Sequence, residues 1–231
     1  MEQKKKPVFY TELAYVLGIL ILAMGPAFMG SADFGVSMVV APAYLIYLKL
    51  SQILPFFTFG MAEYLMQALL LIALIIVLRK FKLSYLLSFA TAVFYGLALD
   101  LYMIIIANFP CDTMPKRLLF FFIGMVVCSV GVSLLFHTYI SPEVYELVVK
   151  ELSKKYGFNI NKCKTVYDCV SCLIGIIMSF CFFGMWHFEG VKLGTIFCAL
   201  TNGWLISICT RVFEHFFEFR DRFKWRSFFE N

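Results

Sequence analysis

Acids set inside apolar runs are the residues in this chain best placed to do chemistry. Glu63 lies in one such run, with Gln67 one helical turn further along the same face, and Asp168 falls in a second run about 105 residues later. A charge at the centre of a bilayer costs about 2.5–3.5 kcal/mol on insertion scales, so an acid retained there calls for an explanation. Paired carboxyls of this kind suit a gate or a cation or proton site, because desolvation favours matching each charge with a cation or a proton. The structural alternative is that an acid in the first turns of a helix is favoured by the macrodipole and needs no ligand. Thr201 and Asn202, in the middle of the last long apolar run, extend the candidate binding set, with hydrogen bonding between helices as their alternative role. Asp33 and Asp100 are further acids in or beside apolar segments.

Other chemistries find no support. The chain has no P-loop, no GxSxG, no HExxH and no dinucleotide fingerprint, which argues against an enzyme and gives no reason to expect a cofactor. Cys169 and Cys172 have CxxC spacing but no second pair or histidine nearby, and the eight cysteines read as small reduced core residues. His187 and Glu189 are two apart in a short turn, too few for a metal site, so no metal is expected. The tail from Phe213 to Phe229 interleaves phenylalanine and Trp225 with arginine and lysine, as an interfacial anchor does, and is not read as a nucleic-acid site.

The elements that must position these acids are helices in a membrane. With 61% apolar residues, 15% charged residues and a mean hydropathy of +0.84, the chain demands a lipid bilayer as its surroundings. Six segments are long enough to cross it, near 12–31, 56–78, 84–107, 118–138, 166–187 and 191–212. Two shorter ones, 36–51 and 142–157, come after the first span of each half. The second of these opens with Ser141 and Pro142, carries early acids, and places Val144, Leu147, Val148 and Leu152 on one face, which predicts an amphipathic helix in the interface or tucked against the bundle. The first is more apolar and reads as a re-entrant version of the same element, its interfacial and spanning placements staying open. With neither short helix spanning, 16 of the 20 lysines and arginines fall on one side, which predicts six spans and both termini in the cytoplasm.

The two halves also look alike. Gly18 and Gly25 recur as Gly124 and Gly131, and Ala92 and Gly96 recur as Ala199 and Gly203. Three spans per half would make the repeats inverted, with the glycine pairs, seven apart and near one helix face, letting the first and fourth spans cross closely. The fold expected is therefore all-α, six transmembrane helices in two inverted three-helix repeats, each with an extra amphipathic or re-entrant helix. Its parts are a basic N-terminus over 1–11, a first repeat over 12–110, a second over 111–212 and an aromatic and basic tail over 213–231.

The stretch Ser141–Glu146, then Thr165-Val166-Tyr167-Asp168, then Leu193-Gly194-Thr195 with Ala199 and Gly203, resembles the YczE/YitT group of bacterial membrane proteins. The first half is similar more loosely, through Gly25-Pro26-Ala27, the Gly30 to Gly35 turn, and Ala92, Gly96 and Asp100. The chain is similar to the shorter YczE type, without the soluble C-terminal domain of the YitT arrangement. The resemblance implies a multi-pass protein of the bacterial inner membrane and supplies no catalytic residues. The expected function is a small transporter or permease with its site between the repeats. The alternatives are a membrane scaffold or regulator that binds a partner through 142–157 and the tail, and the substrate-capturing subunit of an energy-coupled importer. A small-molecule or ion substrate, a second copy of the chain and a membrane partner all stay open.

Overall fold

A computed structural model describes residues 6–140, 143–158, 160–184 and 189–223. Along the chain run β1 (Val8–Tyr10), α1 (Thr11–Ala32), α2 (Ala41–Leu50), α3 (Phe59–Leu78), α4 (Leu83–Ala107), α5 (Met114–Phe136), α6 (Val144–Tyr156), α7 (Ile160–Phe183), α8 (Leu193–Phe216) and β2 (Glu218–Arg220). Among the described residues, six helices, all but α2 and α6, are long and apolar enough to cross a bilayer. Large apolar side chains such as Ile76, Ile104 and Leu200 face outward, where only lipid tails could receive them. The chain is a multi-pass membrane protein.

Local chemistry sets several helix ends. The Thr58 hydroxyl accepts from the Met61 amide to start α3, and Asp100 of α4 accepts from the Thr58 hydroxyl and the Gly60 amide, each at 2.7 Å. Asp100 is thus a capping acid for a neighbouring helix. Gly157 stops α6 with a φ of 67°, a conformation that glycine adopts without a Cβ penalty. The sequence places Ser141 and Pro142 at the start of this helix, but those two lie outside the described residues, and Glu143 occupies the cap position. α7 begins at Ile160 and α8 runs to Phe216, each longer than its hydropathy suggests, because polar residues end an apolar run without ending a helix.

The centre of the bundle is the crossing of α1 and α5. Gly18 packs against Leu135 and the Gly131 carbonyl, and Gly25 packs against Cys128 and the Gly124 carbonyl. Residue number rises along α1 as it falls along α5, so the two helices run antiparallel. A Cβ on Gly131 would meet the Leu22 backbone at 2.6–2.7 Å, and one on Gly124 would meet the Gly25 carbonyl oxygen at 2.8 Å. Only backbone fits there.

The two short helices lie along spanning helices rather than across the bilayer. At 10 and 13 residues, α2 and α6 extend about 15 and 20 Å, well short of the roughly 30 Å hydrocarbon core. α6 starts beside the middle of α3, where the Val144 amide donates to Gln67 Oε1 at 3.2 Å, and ends near Val77, whose carbonyl accepts from Lys155 Nζ. α2 starts with Ala41 against Gly175, midway along α7, and ends with Lys49 donating to the Phe182 carbonyl. Both are half-length helices whose N-termini point into the bundle. Val144, Leu147 and Val148 are buried against Leu71, Leu74 and Tyr85, with Leu152 beside them, so the apolar face expected of α6 packs on protein, tucked against the bundle.

The first and last described elements meet. β1 and β2 pair in parallel with Phe9 opposite Phe219, which puts both described ends on one side of the bundle. Glu12 accepts from the backbone amides of Arg222 and Phe223, and His137 stacks on Phe219 at 4.0 Å. The first part of the tail is therefore clamped to the N-terminus and to α5. Residues 224–231, with Trp225, lie outside the described residues.

Candidate functional site

Spacing along α3 decides which of its side chains face inward. Glu63, Gln67, Leu71 and Leu74 recur every three or four residues and are all buried, so one stripe carries two polar residues and then two leucines. The leucines pack on α6 and hold its N-terminus at the level of the polar pair.

Gln67 ties its polar neighbours together. Its Nε2 donates to Glu63 Oε2 and to Glu143 Oε2, both at 3.4 Å, while its Oε1 accepts from the Val144 amide. That backbone bond fixes the orientation of the side-chain amide, because the oxygen must face the N–H and the nitrogen is left to serve the two acids. Tyr145 donates its hydroxyl to Glu63 Oε2 at 2.8 Å. Glu63 and Gln67 are 0% exposed and Glu143 is 5% exposed, so two buried carboxyls share one amide. One oxygen of each, Glu63 Oε1 and Glu143 Oε1, has no hydrogen-bond partner.

The cluster sits where both halves of the chain converge. Tyr15 of α1, Tyr95 of α4 and Cys128 of α5 lie within electrostatic reach of Glu143, as do Glu63 of α3, Glu146 of α6 and Lys164 of α7. Burial, then repulsion from Glu63 and Glu146, holds the Glu143 carboxyl well above the usual carboxylate range, against weaker opposition from the Gln67 hydrogen bond and Lys164. An acid whose folded-state affinity for protons is raised contributes stability that is complete below the unfolded value, about 4.3 for glutamate, and is lost as pH climbs toward the folded value. The unfolding temperature in detergent should therefore fall from acidic toward alkaline pH, and Glu143→Gln should flatten that slope. An equal slope in wild type and variant would show that Glu143 is not the group responsible.

A second set of charges continues from the cluster toward the surface. Lys164 Nζ lies 3.3 Å from Glu146 Oε1 and 3.2 Å from Asp168 Oδ1, and stands over the Tyr167 ring. Asp168 does not hydrogen-bond Glu63. The two acids are connected through α6, with Tyr145 on the Glu63 side and Glu146 on the Asp168 side.

Thr201 and Asn202 belong elsewhere. Asn202 Oδ1 accepts from the Ser129 hydroxyl at 3.0 Å, and Thr201 donates to the Phe197 carbonyl and approaches Met125. They join α8 to α5 and do not line the carboxyl cluster. Asp33 pairs with Arg117 and Lys192 at the other end of the bundle, where Glu189 also pairs with Lys192. His187 lies outside the described residues. Reading the sequence for acids in apolar runs finds Glu63 and Gln67 but misses Glu143, Tyr145, Glu146 and Lys164, which stand in polar stretches. The one signal for the three from α6 and its cap is the Ser141–Glu146 motif, read as a helix start, and Lys164 has none.

A family model described as a family of unknown function, DUF6198, matches residues 9–211. The uncharacterised protein YyaS of Bacillus subtilis (strain 168) is similar at 25% identity over 213 residues, covering 90% of this chain and 96% of its own length. No solved structure matches.

Proposed function

The chain belongs to the DUF6198 family of unknown function, and from there we propose that it is a small transporter or permease whose binding site is the Glu63–Gln67–Glu143 cluster. The observation that carries this reading is a pair of buried carboxyls bridged by one amide at the N-terminus of a half-length helix, each with an oxygen left unpartnered. Half-helix ends near the middle of a membrane bundle are where secondary transporters bind their cargo. Two inverted repeats supply the frame in this reading. Exchanging the halves turns the Gly18–Gly131 contact into Gly124–Gly25, and turns α6 beside α3 into α2 beside α7. The match is incomplete, since Gly96 packs on the Tyr64 ring while nothing lies within 4 Å of where a Gly203 Cβ would be.

The role is binding and passage, with no covalent chemistry. The distribution of lysine and arginine, 16 of 20 on the side of the termini, supports a cytoplasmic position for both ends. The similarity of Ser141–Glu146 and Thr165–Asp168 to the YczE/YitT group supports the bacterial inner membrane as the location.

The test is thermal unfolding of the detergent-purified protein across metabolites and inorganic ions, with Glu63→Gln beside wild type and the exposed Asp112→Asn as control. A ligand present at 100 times its dissociation constant should stabilise wild type and the control by about 2.7 kcal/mol and the Glu63 variant far less. A ligand that stabilises the Glu63 variant as well as wild type places the site elsewhere. A screen without any hit favours the scaffold or regulator.

A further inference from the structure

Size restricts what the buried acids hold in this conformation. Glu63 and Gln67 are 0% exposed, so not even a water-sized space adjoins them, and the cation that fits between such carboxyls is a proton. Charge leads to the same conclusion. Two ionised carboxylates, one fully buried and the other 5% exposed, require cations, and Lys164, which reaches Glu143, is already held between Glu146 and Asp168.

We propose that Glu63 and Glu143 form a proton-binding pair that exchanges with solvent through Glu146 and Lys164 on the side of the chain termini. Side-chain exposure rises along that route, from buried Glu63 and Glu143 to 30% at Glu146 and 34% at Lys164. Glu143 and Glu146 are one turn apart, and Glu146 Oε2 is a further buried oxygen without a hydrogen-bond partner. In the release step the O–H bond of Glu143 breaks, an O–H bond forms on the Glu146 carboxylate, and that proton then passes to water. Lys164 keeps its own proton and stabilises Glu146 as an anion before and after the transfer. The N-terminus of α6 directs its positive dipole end at the pair, which eases the charge on Glu143 once the proton has left. Tyr145, donating to Glu63, is a positioning residue.

The inference deepens the transport reading by naming the ion, and it is testable without a known substrate. Infrared difference spectra of the purified protein between acidic and alkaline pH should show the carbonyl band of a protonated, buried carboxylic acid disappearing on alkalinisation. Glu63→Gln and Glu143→Gln should each diminish that band, and Asp112→Asn should leave it intact. If one glutamine variant fails to fold, the other reads the same band. Glu146→Gln should keep the band but slow its hydrogen–deuterium exchange by about a hundredfold or more, the least expected on removing a positioned proton carrier. Absence of a titrating band, or a band unchanged in both glutamine variants, overturns the proton pair. Wild-type exchange rates in Glu146→Gln overturn the route. A titrating band with no ligand found leaves the proton pair standing without a transporter, whereas ligand binding at Glu63 without such a band leaves the transporter without this proton.

Discussion

Gly131→Ala is expected to destabilise the folded protein by about 1–3 kcal/mol, the usual cost of forcing an extra carbon into a packed core, and Gly131→Leu to abolish folding. The alanine Cβ meets backbone atoms of Leu22 at 2.6–2.7 Å, and backbone cannot rotate aside as the end of a side chain can. Relief requires α1 and α5 to separate, which loosens the Gly25–Gly124 contact further along the same crossing. Gly203→Ala is the contrasting case. Nothing lies within 4 Å of its new methyl group, so it should leave stability unchanged or raise it by up to about 1 kcal/mol through better helix propensity. Thermal unfolding of the two alanine variants in one detergent compares them directly. A Gly131→Ala protein as stable as Gly203→Ala would show that the crossing is not packed as described.

Gln67→Leu should be the most damaging change at the candidate site. It removes the donor to both Glu63 and Glu143 and the acceptor for the Val144 amide. Glu63 keeps the Tyr145 hydroxyl, but Glu143 Oε2 and the Val144 amide are left without a partner, and each such buried group costs about 1–3 kcal/mol, so a loss of at least about 2 kcal/mol is expected. Replacing Gln67 and Glu143 together by leucine should recover part of that loss, because the stranded carboxyl goes with the amide while the Val144 amide stays unpartnered and Glu63 keeps the Tyr145 hydroxyl. The comparison again uses the unfolding temperature. A single variant more stable than the double one would mean that Glu143 does not depend on Gln67.

The membrane-spanning helices were legible because their length answers to the bilayer. Hydropathy located six long segments, and observed helices such as Thr11–Ala32 and Leu83–Ala107 agree within a residue or so with the expected 12–31 and 84–107. The ends were less legible where caps or polar turns decide them, as at Ile160 and Phe216. Glu63 and Gln67 could be recognised from their apolar surroundings, since water around an acid is common and hydrocarbon around one is not. Glu143 gave no such signal. An acid at a helix start is ordinary, and the segment read as an amphipathic helix in the interface or tucked against the bundle, neither of which singles out its first acid.

By itself, the sequence determined that the chain lives in a bilayer, how many helices are long enough to cross it, and which acids sit in apolar runs, because those properties depend on composition and one-dimensional periodicity. Only the tertiary structure decided that the N-terminus of α6 enters the bundle at Gln67, joining Glu143 to Glu63 from a distant part of the chain. It likewise decided that Asn202 serves Ser129 of α5 and not the acids. Which side chains meet across helices depends on how closely α1 and α5 cross and where α6 docks, and those are set by close packing among all the helices rather than by the pattern along any one.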